Sequence, residues 1–344
     1  MKLNLTTGLG LFAAAAIGVG LLFTIEYPPV DVVQRGFRGL GMNQLFHPAT
    51  VAKAVPNNTV PPALIQVPAI GGKAGDVYKN VQVLKDLPVA QFTRLMAAVT
   101  DWVAPQQGCT YCHVDANNLA SDDIYTKVVS RRMFQMTIDI NKNYKNHVAA
   151  TGPEGANGVT CYTCHRGQPI PANIWFTDPA SQTVNIGGLG DRAGKNIASP
   201  AAGYTSLPTD PFTPFLLKAD SLRVETPDPL PIGYPATIKN TEWTYGFMFH
   251  LSAALGVNCT YCHNSRQFAD WSQSTPQRVT AFQGIAMTRA LNVNYLAPLQ
   301  NVFPASRLGP GGDSPKVNCA TCHQGTYKPL YGANMVKDYP ELTR

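Results

Sequence analysis

The chain is poor in charge and holds no spare sulfur chemistry. Only 14% of its 344 residues are charged, against about 25% in ordinary soluble proteins; much of its surface is therefore expected to lie under cofactor, membrane or partner. The 27 basic residues form no Lys/Arg run, which removes the usual footprint of a nucleic-acid-binding protein. Of eight cysteines, none lies outside four short motifs, so no thiol remains for a disulfide or a lone nucleophile. The apolar stretch near the N-terminus is followed neither by a small-x-small cleavage pattern nor by a cysteine that could carry lipid. Helical periodicity is missing from residues 27–88 and 168–237, where prolines and glycines indicate irregular connections.

What is present is one motif four times. It reads Cys109-Thr-Tyr-Cys112-His113, Cys161-Tyr-Thr-Cys164-His165, Cys259-Thr-Tyr-Cys262-His263 and Cys319-Ala-Thr-Cys322-His323. This is the attachment signature of c-type haem. Two thiols three positions apart reach the two vinyl groups along one porphyrin edge, and the adjacent histidine offers a ring nitrogen to the iron. Structural zinc needs no histidine after every second cysteine, and a thioredoxin-like redox pair would occur once. Four covalently bound c-type haems are expected, held by all eight cysteines. Each haem brings two propionates, so the formal charge of +6 is not that of the loaded chain.

The apolar run Leu9 to Ile25, preceded by Lys2 and followed by Glu26, Pro28 and Pro29, is just long enough for a membrane-spanning helix. One basic residue ahead of it places that end in the cytoplasm, and the haem-bearing remainder then faces the periplasm. Beyond it a pattern occurs twice. Helical stretches Ala90–Val103 and Asp123–Asn146 flank the first motif, and Thr241–Leu255 and Pro276–Asn292 flank the third. The motifs of each pair start 52 residues apart (Cys109 to Cys161) and 60 residues apart (Cys259 to Cys319). The expected fold is mainly α with long irregular loops: a multihaem cytochrome of two pseudo-symmetric haem-pair halves, plus an N-terminal transmembrane helix. Residues 1–26 read as the anchor and 27–89 as an extended surface segment. Residues 90–170 read as the first haem pair, 171–237 as a connecting segment of loops with a short hairpin, and 238–344 as the second pair. Residues 90–344 together make one tetrahaem unit.

An iron that only transfers electrons needs a second axial ligand, and Met or His supplies it. Met96 and Met248 lie in matching helices ahead of the first and third motifs, with His250 competing with Met248 from another face. Met133, Met136 and His147 fall on the second helix. If that helix stays regular, Met133 and His147 share a face roughly 21 Å apart and serve two different haems. His147 also reads as a surface histidine at a helix end. Met287 sits after the third motif much as Met133 sits after the first, and symmetry alone would make it a ligand of the fourth haem.

The motifs, their spacing and their flanks resemble the tetrahaem cytochrome subunit of purple-bacterial photosynthetic reaction centres. The resemblance is carried by Gly36-Phe37-Arg38-Gly39-Leu40, residues 108–113 (GCTYCH), Arg131-Arg132-Met133, 160–167 (TCYTCHRG), 274–278 (STPQR), 294–298 (NYLAP) and 337–342 (KDYPEL). It implies three Met/His haems and one bis-His haem. Met96 would pair with His113, Met133 with His165, Met248 with His263, and His147 from the first half with His323; Met136, His250 and Met287 are then set aside. It further implies a row of haems in which the third lies nearest the bacteriochlorophyll special pair, followed outward by the fourth, second and first. The implied partners are the reaction-centre membrane subunits that carry the special pair, a light-harvesting ring nearby, and a soluble periplasmic donor (a small c-type cytochrome or a high-potential iron–sulfur protein). The implied role is an electron relay on the periplasmic face of the photosynthetic membrane, not an enzyme. Several members are lipoproteins; here Thr24-Ile25-Glu26 occupies that region without a cysteine.

Overall fold

The computed structural model describes residues 4–24, 30–34, 42–115, 117–148, 158–178, 199–224 and 237–344. The segment 36–40, the Gly-rich stretch before the second motif and most of the connecting segment lie outside these residues.

Among the described residues the helices, in chain order, are α1 (Leu5–Leu22), α2 (Pro48–Ala54), α3 (Ala74–Val77), α4 (Val89–Val103), α5 (Tyr125–Asn143), α6 (Lys145–Val148), α7 (Cys161–His165), α8 (Ile238–Leu255), α9 (Pro276–Leu291) and α10 (Cys319–His323). Short 3-10 and π turns join them. The chain is thus mainly helical, with the four long helices after α1 within a few residues of the periodic stretches. Pro276 begins α9, where its fixed φ suits the first turn and its missing N–H is not needed. Gly256, at φ +63°, closes α8 in the left-handed conformation that glycine adopts without a Cβ penalty.

Two expectations need correction. The helix over 123–146 is not continuous: α5 ends at Asn143, Tyr144 is non-helical, and His147 sits on the separate short helix α6. The argument that Met133 and His147 share one helical face therefore fails. The hairpin expected in the connecting segment falls largely outside the described residues; an antiparallel pair, β1 (Asp31–Gln34) and β2 (Asn43–Phe46), lies within the stretch read as extended. And the expected transmembrane helix is not found as such. The apolar run does form α1, fully exposed, but its 18 residues span about 27 Å, short of a hydrocarbon core of about 30 Å. Among the described residues no helix is long and apolar enough to cross a membrane.

Among the described residues the core forms two clusters, one against α4 and one against α8, each drawing in segments distant in sequence. Leu95, Ala98, Trp102, Phe134, Leu330, Tyr339 and Leu342 form one; Trp175, Phe212, Phe215, Leu216, Phe247 and Ile285 form the other. The second draws on the π turn Thr213–Leu217, so this part of the segment read as loops is packed interior. Buried polar side chains tie distant segments to the helices. Arg94 of α4 donates to the carbonyls of Leu64, Ile65 and Asp338 at 2.8–2.9 Å and lies 4.2 Å over the Tyr339 ring. The Pro-rich N-terminal segment and the C-terminal tail are thereby strapped to the same helix.

One contact is made identically in both halves. Asn141, at the end of α5, clamps both backbone groups of Val159, accepting from its N–H at 2.7 Å and donating to its carbonyl at 2.9 Å. Asn292, just after α9, does the same to Val317 at 2.9 Å each. Both valines lie two residues before a Cys-x-x-Cys-His motif, so the clamp fixes each motif to the preceding helix. Asn292→Ala leaves the Val317 N–H unpaired, while its carbonyl keeps the 3.1 Å bond from the Trp175 indole N–H, and should cost roughly 1–3 kcal/mol. The check is thermal unfolding of the purified chain, where an unchanged midpoint would rule the clamp out as a support.

Candidate haem sites

The first and third motifs are turns; the second and fourth are helices. Gly108–Tyr111 and Cys259–Tyr261 form 3-10 turns, in which the His113 and His263 N–H groups donate to the Cys109 and Cys259 carbonyls at 3.0 and 2.9 Å. The hydroxyls of Thr126 and Thr275 then donate to the Tyr111 and Tyr261 carbonyls, tying each turn to the following helix. α7 and α10 instead begin in reciprocal caps. Thr160 pairs with Thr163, and Asn318 with Thr321, which satisfies N–H groups that a helix start leaves unpaired. Both end in a left-handed residue, Arg166 (φ 51°) and Gln324 (φ 47°), then a glycine. The Gly167 N–H donates to the Trp102 carbonyl and the Gly325 N–H to the Ala254 carbonyl, each at 2.8 Å. The second motif thus rests on the end of the first motif's methionine helix, and the fourth on the end of the third's.

All four motif histidines are held the same way. Nδ1 of His113, His165, His263 and His323 lies 3.0, 2.9, 2.9 and 2.9 Å from the carbonyls of Leu119, Gln168, Phe268 and Thr326. A carbonyl can only accept, so Nδ1 carries the proton and Nε2 keeps its lone pair, the tautomer that a metal-binding imidazole needs. Burial pulls all four below the ordinary histidine range, His323 to about 4 with His147 contributing, so the rings are neutral donors at neutral pH. His147 is fixed likewise, its Nδ1 2.9 Å from the Thr280 carbonyl of α9. Its ring faces His323 with centroids 6.2 Å apart, close to the span of two imidazoles sharing one metal ion about 2 Å from each nitrogen. This donor set fits haem iron.

The sulfurs fit the same group. Burial pushes the Cys112 and Cys262 thiols up to about 11, and those of Cys161 and Cys319 to about 12, so they stand as neutral thiols at neutral pH. Among the described residues no three His, Cys, Asp or Glu side chains converge on a metal site. Cys164 and Cys322 are joined, their Cα atoms 4.4 Å apart, although every thiol was assigned to a porphyrin edge. A sulfur bonded to sulfur cannot also hold a vinyl carbon, so the bridge and full loading exclude each other. What the contact records is that the second and fourth motifs stand back to back.

Of the methionines, Met96 packs against the first core cluster, as Cys161 does, and Met248 against the second, as Cys319 does. Met133, on α5, is partly buried. His250 lies within α8 against Phe212 and Phe247 at centroid distances of 4.6 and 6.3 Å, and burial lowers it to about 4. Missed in the sequence was Arg166, whose guanidinium donates to the Thr163 and Asn57 carbonyls and, at 2.8 Å, to that of Cys322. It links the second motif to the fourth. Its only sequence signal was its place directly after His165.

Residues 26–343 match the family model of the photosynthetic reaction centre cytochrome C subunit. The chain belongs to this family. Photosynthetic reaction center cytochrome c subunits similar to it include that of Rubrivivax gelatinosus, 51% identical over 98% of this chain and 90% of the relative. That of Thermochromatium tepidum is 49% identical over 97% and 80%, and that of Roseobacter denitrificans 40% over 97% and 91%. As a member of the family the chain is an electron carrier with covalent c-type haem, not an enzyme.

Gly256 is where this geometry is least tolerant. A Cβ there would stand 2.2 Å from the Gly325 carbonyl oxygen, a backbone atom that cannot turn aside, in a left-handed conformation that itself costs about 1 kcal/mol. Gly256→Ala should displace the fourth motif and lower the haem-to-protein ratio of the purified chain. A variant with an undiminished ratio and unchanged melting would show that the crossing yields.

Proposed function

We propose that the chain relays electrons from a soluble periplasmic donor, a small c-type cytochrome or a high-potential iron–sulfur protein, through four haems to the photo-oxidised special pair. The reading is carried by the four carbonyl-held imidazoles, each next to its own Cys-x-x-Cys pair. When bound, the haems supply reversible one-electron exchange at iron. The protein's part is to fix position and tune affinity for the electron. His113, His165, His263 and His323 would each hold one haem iron, paired in that order with Met96, Met133, Met248 and His147. The methionines favour the reduced iron and raise three potentials; His147 leaves the fourth lower.

Helix packing supports the order of the row. α4, which bears Met96, packs on α7; α7 packs on α10; and α10 packs on α8, which bears Met248. The sites then run first, second, fourth, third. An exposed apolar patch beside the third motif supports that end as the one facing the membrane subunits. Phe268, Trp271, Val279 and Phe282 are 46%, 50%, 50% and 55% exposed, and clustered exposed apolar side chains mark protein interfaces. Donor entry falls at the first motif, at the opposite end. We assign the haem-bearing part to the periplasmic face, next to the light-harvesting ring, with α1 as its membrane attachment. Intact-mass measurement of the chain purified from membranes tests that attachment: loss of the N-terminal segment leaves docking alone.

Flash excitation of membranes should bleach the reduced haem α band within the lifetime of the oxidised pigment, and haem oxidation independent of light would overturn the relay. Met248→Leu should keep haem bound through Cys259 and Cys262 while lowering one potential and slowing pigment re-reduction. An unchanged redox titration would refute Met248. His147→Met should raise the lowest of the four potentials; movement of another haem instead would refute the pairing with His323.

A further inference from the structure

The two asparagine clamps give a residue-by-residue register between α5 and α9, and this register isolates one position. Asn141 matches Asn292. Four residues earlier Thr137 matches Thr288, both buried, and each hydroxyl donates to the carbonyl four residues before it, at 2.9 and 2.8 Å. Phe134 matches Ile285 and Ile140 matches Leu291, all four buried. In this register Met287 answers to Met136, which corrects the matching of Met287 with Met133. The carbonyls that accept from Thr137 and Thr288 belong to Met133 and Gly284. The second half therefore has glycine where the first half has its ligand methionine.

The space at that glycine is filled by the other half. A Cβ on Gly284 would lie 2.4, 2.8 and 3.0 Å from Cε1, Nδ1 and Nε2 of His147, distances that real Cβ atoms do not sustain. The His147 ring occupies the space that a Gly284 side chain would need. It is held there by Thr280, one turn earlier on the same helix, and faces His323 across the 6.2 Å gap.

We propose that Gly284 is the residue that determines the sixth ligand of the fourth haem. By removing the methionine that the duplicated fold would place there, it admits His147 and converts a Met/His site into the bis-His site. The inference rests on the reading of His147 and His323 as the axial pair. It adds that the choice of ligand is made on α9, by deletion, and not on α6.

The test uses the haem-loaded chain with three variants. His147→Ala should leave one of four reduced haems able to bind carbon monoxide; if none binds, the parent reading of His147 fails. Gly284→Met combined with His147→Ala should abolish that carbon monoxide binding. It should also raise the weak methionine-to-ferric-iron absorbance by one third, as contributing haems go from three to four, and move the lowest potential up into the range of the others. If His147→Ala opens a site that Gly284→Met does not close, the inference falls while the parent reading stands. Should the double variant not accumulate, Gly284→Ala decides alone. Its methyl group must push the imidazole away, so the lowest potential shifts and partial carbon monoxide binding appears. A lowest potential equal to that of the unaltered chain overturns the proposal.

Discussion

An imidazole is a dependable metal ligand only when its other nitrogen is already committed. That constraint recurs at five histidines here. Each has Nδ1 against a backbone carbonyl of a turn a few residues away or, for His147, of a neighbouring helix. The carbonyl fixes tautomer and ring plane together, and at the second and fourth motifs capping boxes, left-handed residues and asparagine clamps steady the segment that carries it. Much of the irregular backbone that looks like loop is thus the support that aims a ring nitrogen. A cofactor bonded through two sulfurs could still tilt; a ring already held sets the iron's surroundings before any electron arrives.

Duplication supplies four such sites, and a single departure from it makes them unequal. The halves share clamps, caps and crossings down to the backbone hydrogen bond, yet methionine on α5 is answered by glycine on α9 and the ring of His147 enters the space. A thioether and an imidazole differ in how well they stabilise ferrous iron. On the proposed ligand set, one absent side chain is therefore enough to set one site apart in potential without disturbing the fold around it. The same event ties the halves together, because α6 of the first half must dock on α9 of the second.

The haem motifs and their bounding helices were legible in the sequence because their signals are local: a fixed spacing of sulfur and nitrogen, and apolar periodicity ended by glycine or proline. The reading failed where placement depends on contacts distant in sequence. Nothing near Tyr144 announces that α5 stops there, so a helix-long argument placed His147 on the wrong element. Thr213–Leu217 reads as a proline-bearing loop, and only the aromatic side chains of α8 turn it into core. The register between α5 and α9 was present as Thr-x-x-x-Asn in both helices (Thr137 to Asn141, Thr288 to Asn292). Unequal loops before the following motifs hid it, so Met287 was matched to the wrong residue.

A chain with so much irregular structure needs rigidity from something other than long helices. It obtains part of it from buried side chains that donate to carbonyls far away in sequence. Arg94 joins α4 to both the N-terminal and C-terminal segments. Arg166 reaches from the second motif to Asn57 and to Cys322, and Asn58 binds the Ala54 and Gln324 carbonyls at 2.9 and 3.2 Å. Burial draws the Arg166 guanidinium down to about 10, still charged at neutral pH, so it places a fixed positive charge between the second and fourth sites. Such a charge resists oxidation of whatever lies beside it. In the proposed relay, two redox sites sharing one cation would not have their potentials set by axial ligands alone, and the contrast between Met133 and His147 would act on a background that Arg166 raises for both.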